Sequence, residues 1–78
     1  MKPLLDVLVI LDALEKEGSF AAASAKLYKT PSALSYTVQK LESDLNIQIL
    51  DRTGHRARFT RTGQMLLEKG RDVLHTVR

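Results

Sequence analysis

A chain of 78 residues with 44% hydrophobic and 27% charged side chains has room for one domain around one modest core, because a chain this short buries only about 60% of the surface it exposes when unfolded. The absence of cysteine excludes disulfide staples, thiolate metal sites and a thiol nucleophile, and fits a reducing compartment. The net charge of +3 says little as a total, but it divides into −2 over residues 1–25 and +4 over residues 26–61, either a one-sided field facing a polyanion or a merely solvated surface.

Taken in chain order, Leu5, Leu8, Leu11 and Leu14, with Val7 and Ile10 beside them, recur at helical spacing, and Pro3 suits a first turn where its missing N–H costs nothing. A first helix is expected over about Pro3 to Glu17, ended by Gly18. Ser19 is placed to cap a second helix, Phe20 to about Tyr28, whose Ala21, Ala22, Ala23 and Ala25 permit close packing. Thr30 caps a third helix with Pro31 at its first position, and Leu34, Val38, Leu41 and Leu45 form its apolar stripe up to a left-handed cap at Asn46. Ile47 to Arg52 and Ala57 to Thr60 then flank a Thr53-Gly54-His55-Arg56 turn, the pattern of a short β-hairpin. Thr60 or Thr62 caps a last helix in which Leu67, Gly70, Leu74 and Val77 fall at the spacing of a coiled-coil seam.

Three helices, a hairpin and a further helix, with only two or three residues between helices two and three, match a mainly α, winged helix-turn-helix plan. We expect the winged domain over residues 1–60 and the start of a linker helix over 61–78. The longest apolar run, Val7 to Leu11, is too short to span a membrane, and no basic leader precedes it, so a cytoplasmic protein without membrane attachment is expected.

The stripe on helix three places Ser32, Tyr36, Gln39, Lys40 and Ser43 on the opposite face, Ser35 on the flank, and Glu42 and Asp44 towards the sides. A face of hydrogen-bonding groups without carboxylates suits a major groove, where base edges supply acceptors and phosphates repel acids, although any amphipathic helix has a polar face. Ser19 and Thr30 stand at helix N-termini, whose unpaired N–H groups bind phosphate; capping and phosphate binding are compatible there. In the hairpin, Arg52, His55, Arg56 and Arg58 crowd around the turn as a basic tip for phosphates or a minor groove. Alternation lets Arg52 or Arg58 face away, and Arg52 has Asp51, Glu42 and Asp44 as alternative partners.

From Leu5 to about Leu67 the chain resembles the N-terminal DNA-binding domain of the LysR-type transcriptional regulators of bacteria. The resemblance rests on Gly18-Ser19-Phe20, Ala23, Leu27, Ser32-Ala33-Leu34-Ser35, Leu41-Glu42, Leu45, Leu50, Arg52, Thr60 and Gly63. It implies sequence-specific binding of double-stranded DNA, with helix three as the recognition helix, the hairpin as the wing and the last helix as a linker pairing subunits into a homodimer or higher oligomer. Candidate DNA-binding residues are Ser19, Thr30, Pro31, Ser32, Ser35, Tyr36, Gln39, Lys40, Arg52, His55 and Arg56. Pro31, Lys29, Tyr36 and Ala22 stand where the family commonly has glutamine, an aliphatic, arginine and a polar or basic residue, so base preference does not transfer. The family's effector-binding C-terminal domain is not encoded here, and we read the chain as a fragment of a longer regulator.

Two other readings compete with this one. An enzyme is not expected, because neither His55 nor His75 has a serine, cysteine or carboxylate pair arranged around it and no glycine-rich phosphate loop occurs; no catalytic residue, metal or cofactor is assigned. A winged helix used for protein contacts alone shares the scaffold, and it is opposed by the polar face of helix three and the arginine-bearing wing.

Overall fold

Residues 2–53 and 58–77 are described by a computed structural model. Their order is α1 (Lys2–Glu17), α2 (Phe20–Leu27), α3 (Pro31–Leu45), β1 (Leu50–Asp51), β2 (Arg58–Phe59) and α4 (Arg61–Val77).

Local chemistry sets the helix boundaries. Gly18 takes φ +87° and donates its N–H to the Leu14 carbonyl at 2.9 Å, a left-handed stop that a residue with a Cβ adopts only at a cost. Ser19 then accepts the Ala22 N–H on its hydroxyl at 3.1 Å and opens α2. Thr30 does the same for α3, accepting from Ala33 at 3.1 Å, with Pro31 following in the first turn. α2 stops at Leu27, because Tyr28 turns left-handed at φ 58° while the Lys29 N–H closes onto the Ser24 carbonyl at 2.9 Å. The expected Asn46 cap is present at φ 53°. Of the two threonines expected to start the last helix, Thr60 is the cap, taking the Gly63 N–H at 3.0 Å.

α1 is the central element and packs against α2, α3 and α4. Val7 and Leu11 from α1, Ala23 from α2, Leu34 and Val38 from α3, then Ile49, Leu50 and Leu67 form one core. Each fully buried aliphatic side chain contributes about 1.5–3 kcal/mol. β1 and β2 pair antiparallel with Leu50 opposite Phe59 and Asp51 opposite Arg58. Leu50 therefore faces the core while Asp51 faces out.

Two expectations change. Leu45, assigned to the buried stripe of α3, is 53% exposed: it is the last residue of the helix, directly before the left-handed turn at Asn46 that leads the chain away. Leu67 and Gly70, expected on a seam facing a partner, are buried within this chain. A Cβ at Gly70 would overlap a methyl group of Leu8, so the glycine is what lets α4 lie against α1. Arg71 fastens the same contact, donating to Asp12 at 3.1 Å and to Glu15.

Candidate nucleic-acid interface

Burial of Leu34, Val38 and Leu41 orients α3 and leaves Ser32, Tyr36, Gln39, Lys40 and Ser43 exposed on its other side. Tyr36 is 66% exposed, so its ring and hydroxyl are presented to whatever approaches this face. Lys40 lies 3.8 Å from Asp44, one turn on, with both side chains largely in solvent. Such a pair is worth at most about 1 kcal/mol, and it leaves the ammonium free to turn to a phosphate.

Ser19 and Thr30 act as caps, and their chemistry leaves room for a second task. Each hydroxyl oxygen accepts a backbone N–H while its own proton remains available to donate. Both side chains are exposed, at ends where the helix dipole favours an anion. Pro31 is exposed beside Thr30.

Ser35 and Arg52 are brought together. The Arg52 Nη1 donates to Ser35 Oγ at 2.6 Å, and its guanidinium carbon lies 5.4 Å from the centroid of the Phe20 ring. Arg52 thus bridges the start of α2, the flank of α3 and the end of β1. Of the carboxylates considered as its partners, Asp51 is engaged otherwise, accepting the Thr53 N–H at 3.0 Å and the Thr53 hydroxyl at 2.7 Å. Those two hydrogen bonds hold the Asp51 carboxyl below its ordinary pKa. His55 and Arg56, the other wing candidates, lie outside the described residues; Arg58 is exposed on β2.

Two contributors were not singled out from the sequence as parts of this surface. Glu42 accepts the backbone N–H groups of Ile49 at 2.7 Å and Leu50 at 3.1 Å, both on Oε2. Phe20 supplies the ring beneath Arg52. The signal for Glu42 was the Leu41-Glu42 pair, an acid placed directly after a core leucine on an otherwise acid-poor helix face. Among the described residues, no group of three His, Cys, Asp or Glu is placed to hold a metal ion, and no helix is long and apolar enough to cross a membrane.

A tight pair of capped helices, the second with an exposed polar face, followed by a two-stranded hairpin and a further helix, defines a winged helix-turn-helix domain. Residues 5–64 match the family model described as bacterial regulatory helix-turn-helix protein, lysR family. The chain belongs to this family. It is 91% identical over 78 residues to the uncharacterized HTH-type transcriptional regulator YeeY of Escherichia coli K12, covering all of this chain and 25% of that protein. It is 54% identical over 70 residues to the probable HTH-type transcriptional regulator YhaJ of the same strain, covering 90% of this chain and 24% of YhaJ. The chain therefore spans about a quarter of the length of these relatives. Among solved structures it is similar to the BenM DNA-binding domain in complex with catB site 1 DNA, with a TM-score of 0.86 at 32% identity, covering 94% of this chain and 78% of that one. Full-length BenM (R156H) gives a TM-score of 0.84 at 32% identity, with 94% of this chain and 24% of that one covered.

Proposed function

We propose that this chain is the operator-reading domain of a LysR-type transcriptional regulator, binding double-stranded DNA sequence-specifically with α3 in the major groove and the wing on the backbone or in the adjacent minor groove. The observation that carries this is the division of α3 itself: Leu34, Val38 and Leu41 fix the helix in the core, and Ser32, Tyr36 and Gln39 stand exposed opposite them. In the helix-turn-helix motif the N-terminal half of the second helix meets base edges, so Ser32 and Tyr36 read bases and Gln39 adds to them. Ser19, Thr30, Pro31 and Lys40 border the backbone, with Ser35 and Arg52 at the junction to the wing, and His55 and Arg56, which lie in sequence between β1 and β2, add basic groups to it. That the BenM domain of similar fold is complexed with DNA supports the same use here.

In this reading the chain is a binding module and not an enzyme, and it works in the cytoplasm. The regulator to which it belongs pairs subunits through α4 and carries its small-molecule effector site in the remaining three quarters of its length. Selection of bound sites from random duplex DNA, followed by a salt titration, tests the proposal. Each neutralised phosphate contributes about −0.9 to the slope of log affinity against log salt, and the available basic groups set an expected slope of roughly −3 to −6 per subunit. A slope near zero, or no enrichment of any sequence, would overturn it.

A further inference from the structure

The segment Gln48–Leu50 is the point where recognition helix, wing and α4 meet, and its backbone groups are claimed from both sides. From the α3 side, Oε2 of Glu42 accepts the N–H of Ile49 at 2.7 Å and of Leu50 at 3.1 Å. The backbone carbonyl of the same residue takes the Ile47 N–H at 3.0 Å as the helix unwinds at Asn46. From the α4 side, the Thr60 N–H reaches the Ile49 carbonyl at 2.9 Å, and the Thr60 hydroxyl lies against the carbonyls of Gln48 and Ile49. Gly63 closes over the same carbonyl so tightly that an added Cβ would overlap it. Ile49 and Leu50 are themselves buried, so an unmade backbone hydrogen bond here would be costly.

We propose, on the DNA-binding reading above, that Glu42 is a positioning residue for the wing: it touches no DNA, but its side chain fixes where β1 leaves α3 and hence where the wing's basic groups meet the duplex. Three observations carry this. Glu42 is the side chain of α3 that grips the strand leading into the wing, at the residue where that strand begins. Its grip is on backbone and not on side chains, so it fixes the path of the chain. It stands ten residues after Ser32 and six after Tyr36, about 15 and 9 Å further along the helix axis, on the half that leads into the wing. A carboxylate so near a polyanion is otherwise unfavourable for binding, which makes the acceptor oxygen and not the charge the useful property. A single oxygen takes both bonds, so an amide oxygen can replace it, whereas a carboxylate one methylene shorter is withdrawn from both N–H groups.

The test pairs Glu42→Gln, which keeps the acceptor and removes the charge, with Glu42→Asp, which keeps the charge and withdraws the acceptor. Both leave the backbone carbonyl and the helix cap in place. Amide hydrogen exchange is measured without DNA at Ile49 and Leu50, relative to Leu11 and Val38, which report opening of the core. In Glu42→Asp the two amides should exchange about tenfold faster or more relative to the core, and in Glu42→Gln they should stay protected. On the selected duplex, hydroxyl-radical footprinting of Glu42→Asp should retain protection around the groove read by α3 and lose the flanking protection given by the wing. Its affinity should fall about tenfold as the wing's phosphate contacts are displaced, while Glu42→Gln matches the wild type or binds more tightly. Flanking protection kept by Glu42→Asp, or lost by Glu42→Gln, would overturn the role of Glu42 and leave the DNA reading standing. A wild-type chain that protects no duplex would overturn the DNA reading and the wing's task together, and the exchange measurement would still report whether Glu42 holds the strand.

Discussion

Arg52 and Ser35, seventeen residues apart in sequence, are joined by a 2.6 Å hydrogen bond that ties the base of the wing to the flank of the recognition helix. The Phe20 ring 5.4 Å from the guanidinium carbon completes the junction, and Arg52 remains exposed, so on the DNA-binding reading the rest of its fork is available to a phosphate. Arg52→Ala should therefore destabilise the fold by about 0.5–1 kcal/mol, the value of an exposed cation–π contact. It should also weaken binding to all duplexes alike and flatten the salt slope by about one unit. Arg52→Lys restores the charge but neither the planar stack nor the fork, so it should recover the slope and not the stability. Thermal melts and salt titrations of the three proteins check this, and no change in either would show that the contact carries nothing.

Tyr36 projects from the middle of the exposed face of α3, where a hydroxyl donor and an aromatic edge suit a base acceptor and a thymine methyl. We expect Tyr36→Ala to cost about 1–3 kcal/mol on the best site and little on scrambled DNA. Equal losses on specific and scrambled duplexes at one fixed salt concentration would reduce Tyr36 to a phosphate contact. No loss at all would mean that the ring rests on its own helix.

The two buried glycines of α4 should respond differently to the same substitution. A Cβ at Gly63 meets the Ile49 carbonyl, which is backbone held by Thr60, whereas a Cβ at Gly70 meets the end of the Leu8 side chain. Gly63→Ala should cost about 3 kcal/mol, the upper end for overpacking. Gly70→Ala should cost clearly less, because Leu8 has other rotamers and alanine gains about 1 kcal/mol of helix propensity over glycine. Denaturant unfolding of both variants decides it, and equal costs would mean that the Leu8 contact is as unyielding as backbone.

Partial burial pushes the Asp12 carboxyl up, but hydrogen bonds and charge from Arg71 and Lys16 outweigh it and leave its pKa below the ordinary carboxylate value. A carboxyl depressed in the folded state stabilises the fold fully above its unfolded pKa, about 3.9. That stability is lost as pH falls through the lower folded value. The docking of α4 on α1 should thus weaken only in strong acid. Asp12→Asn should be less stable than the wild type at neutral pH and show a flatter decline below about pH 4. Melting temperatures measured across that interval check the sign, and an unchanged acid slope would remove Asp12 from the account.

Because Leu67 and Gly70 are occupied by α1, the large apolar side chains that α4 exposes among the described residues are Met65 and Val73, 58% and 40% exposed, with Leu74 half-buried. A pairing of two copies would cover four such side chains, each already about half-buried, a gain of about 3–6 kcal/mol that at best reaches the low end of the roughly 4–15 kcal/mol lost on association. The 78-residue chain should sediment as a monomer at nanomolar concentration. A tight dimer there would show that α4 pairs through more than Met65 and Val73.

Helix boundaries and the buried face of α3 were legible in the sequence because they depend on neighbours within a turn. Ser19 and Thr30 cap the residues three positions on, Gly18 and Asn46 supply left-handed stops, and the spacing of Leu34, Val38 and Leu41 selects the face that is buried and so the face that is free. The left-handed turn at Tyr28 was not legible, since a bulky residue gives no local signal for it. Tertiary structure alone decided the partners of side chains free to turn several ways. Arg52 chose Ser35 over the acids near it in sequence, Glu42 took backbone N–H groups seven and eight residues on, and Arg71 found Asp12 and Glu15 across most of the chain. Periodicity gave Leu67 and Gly70 a shared face but not what that face meets, because whether α1 or a second subunit covers it depends on how the chain folds back, a long-range choice made by the packing of the whole core.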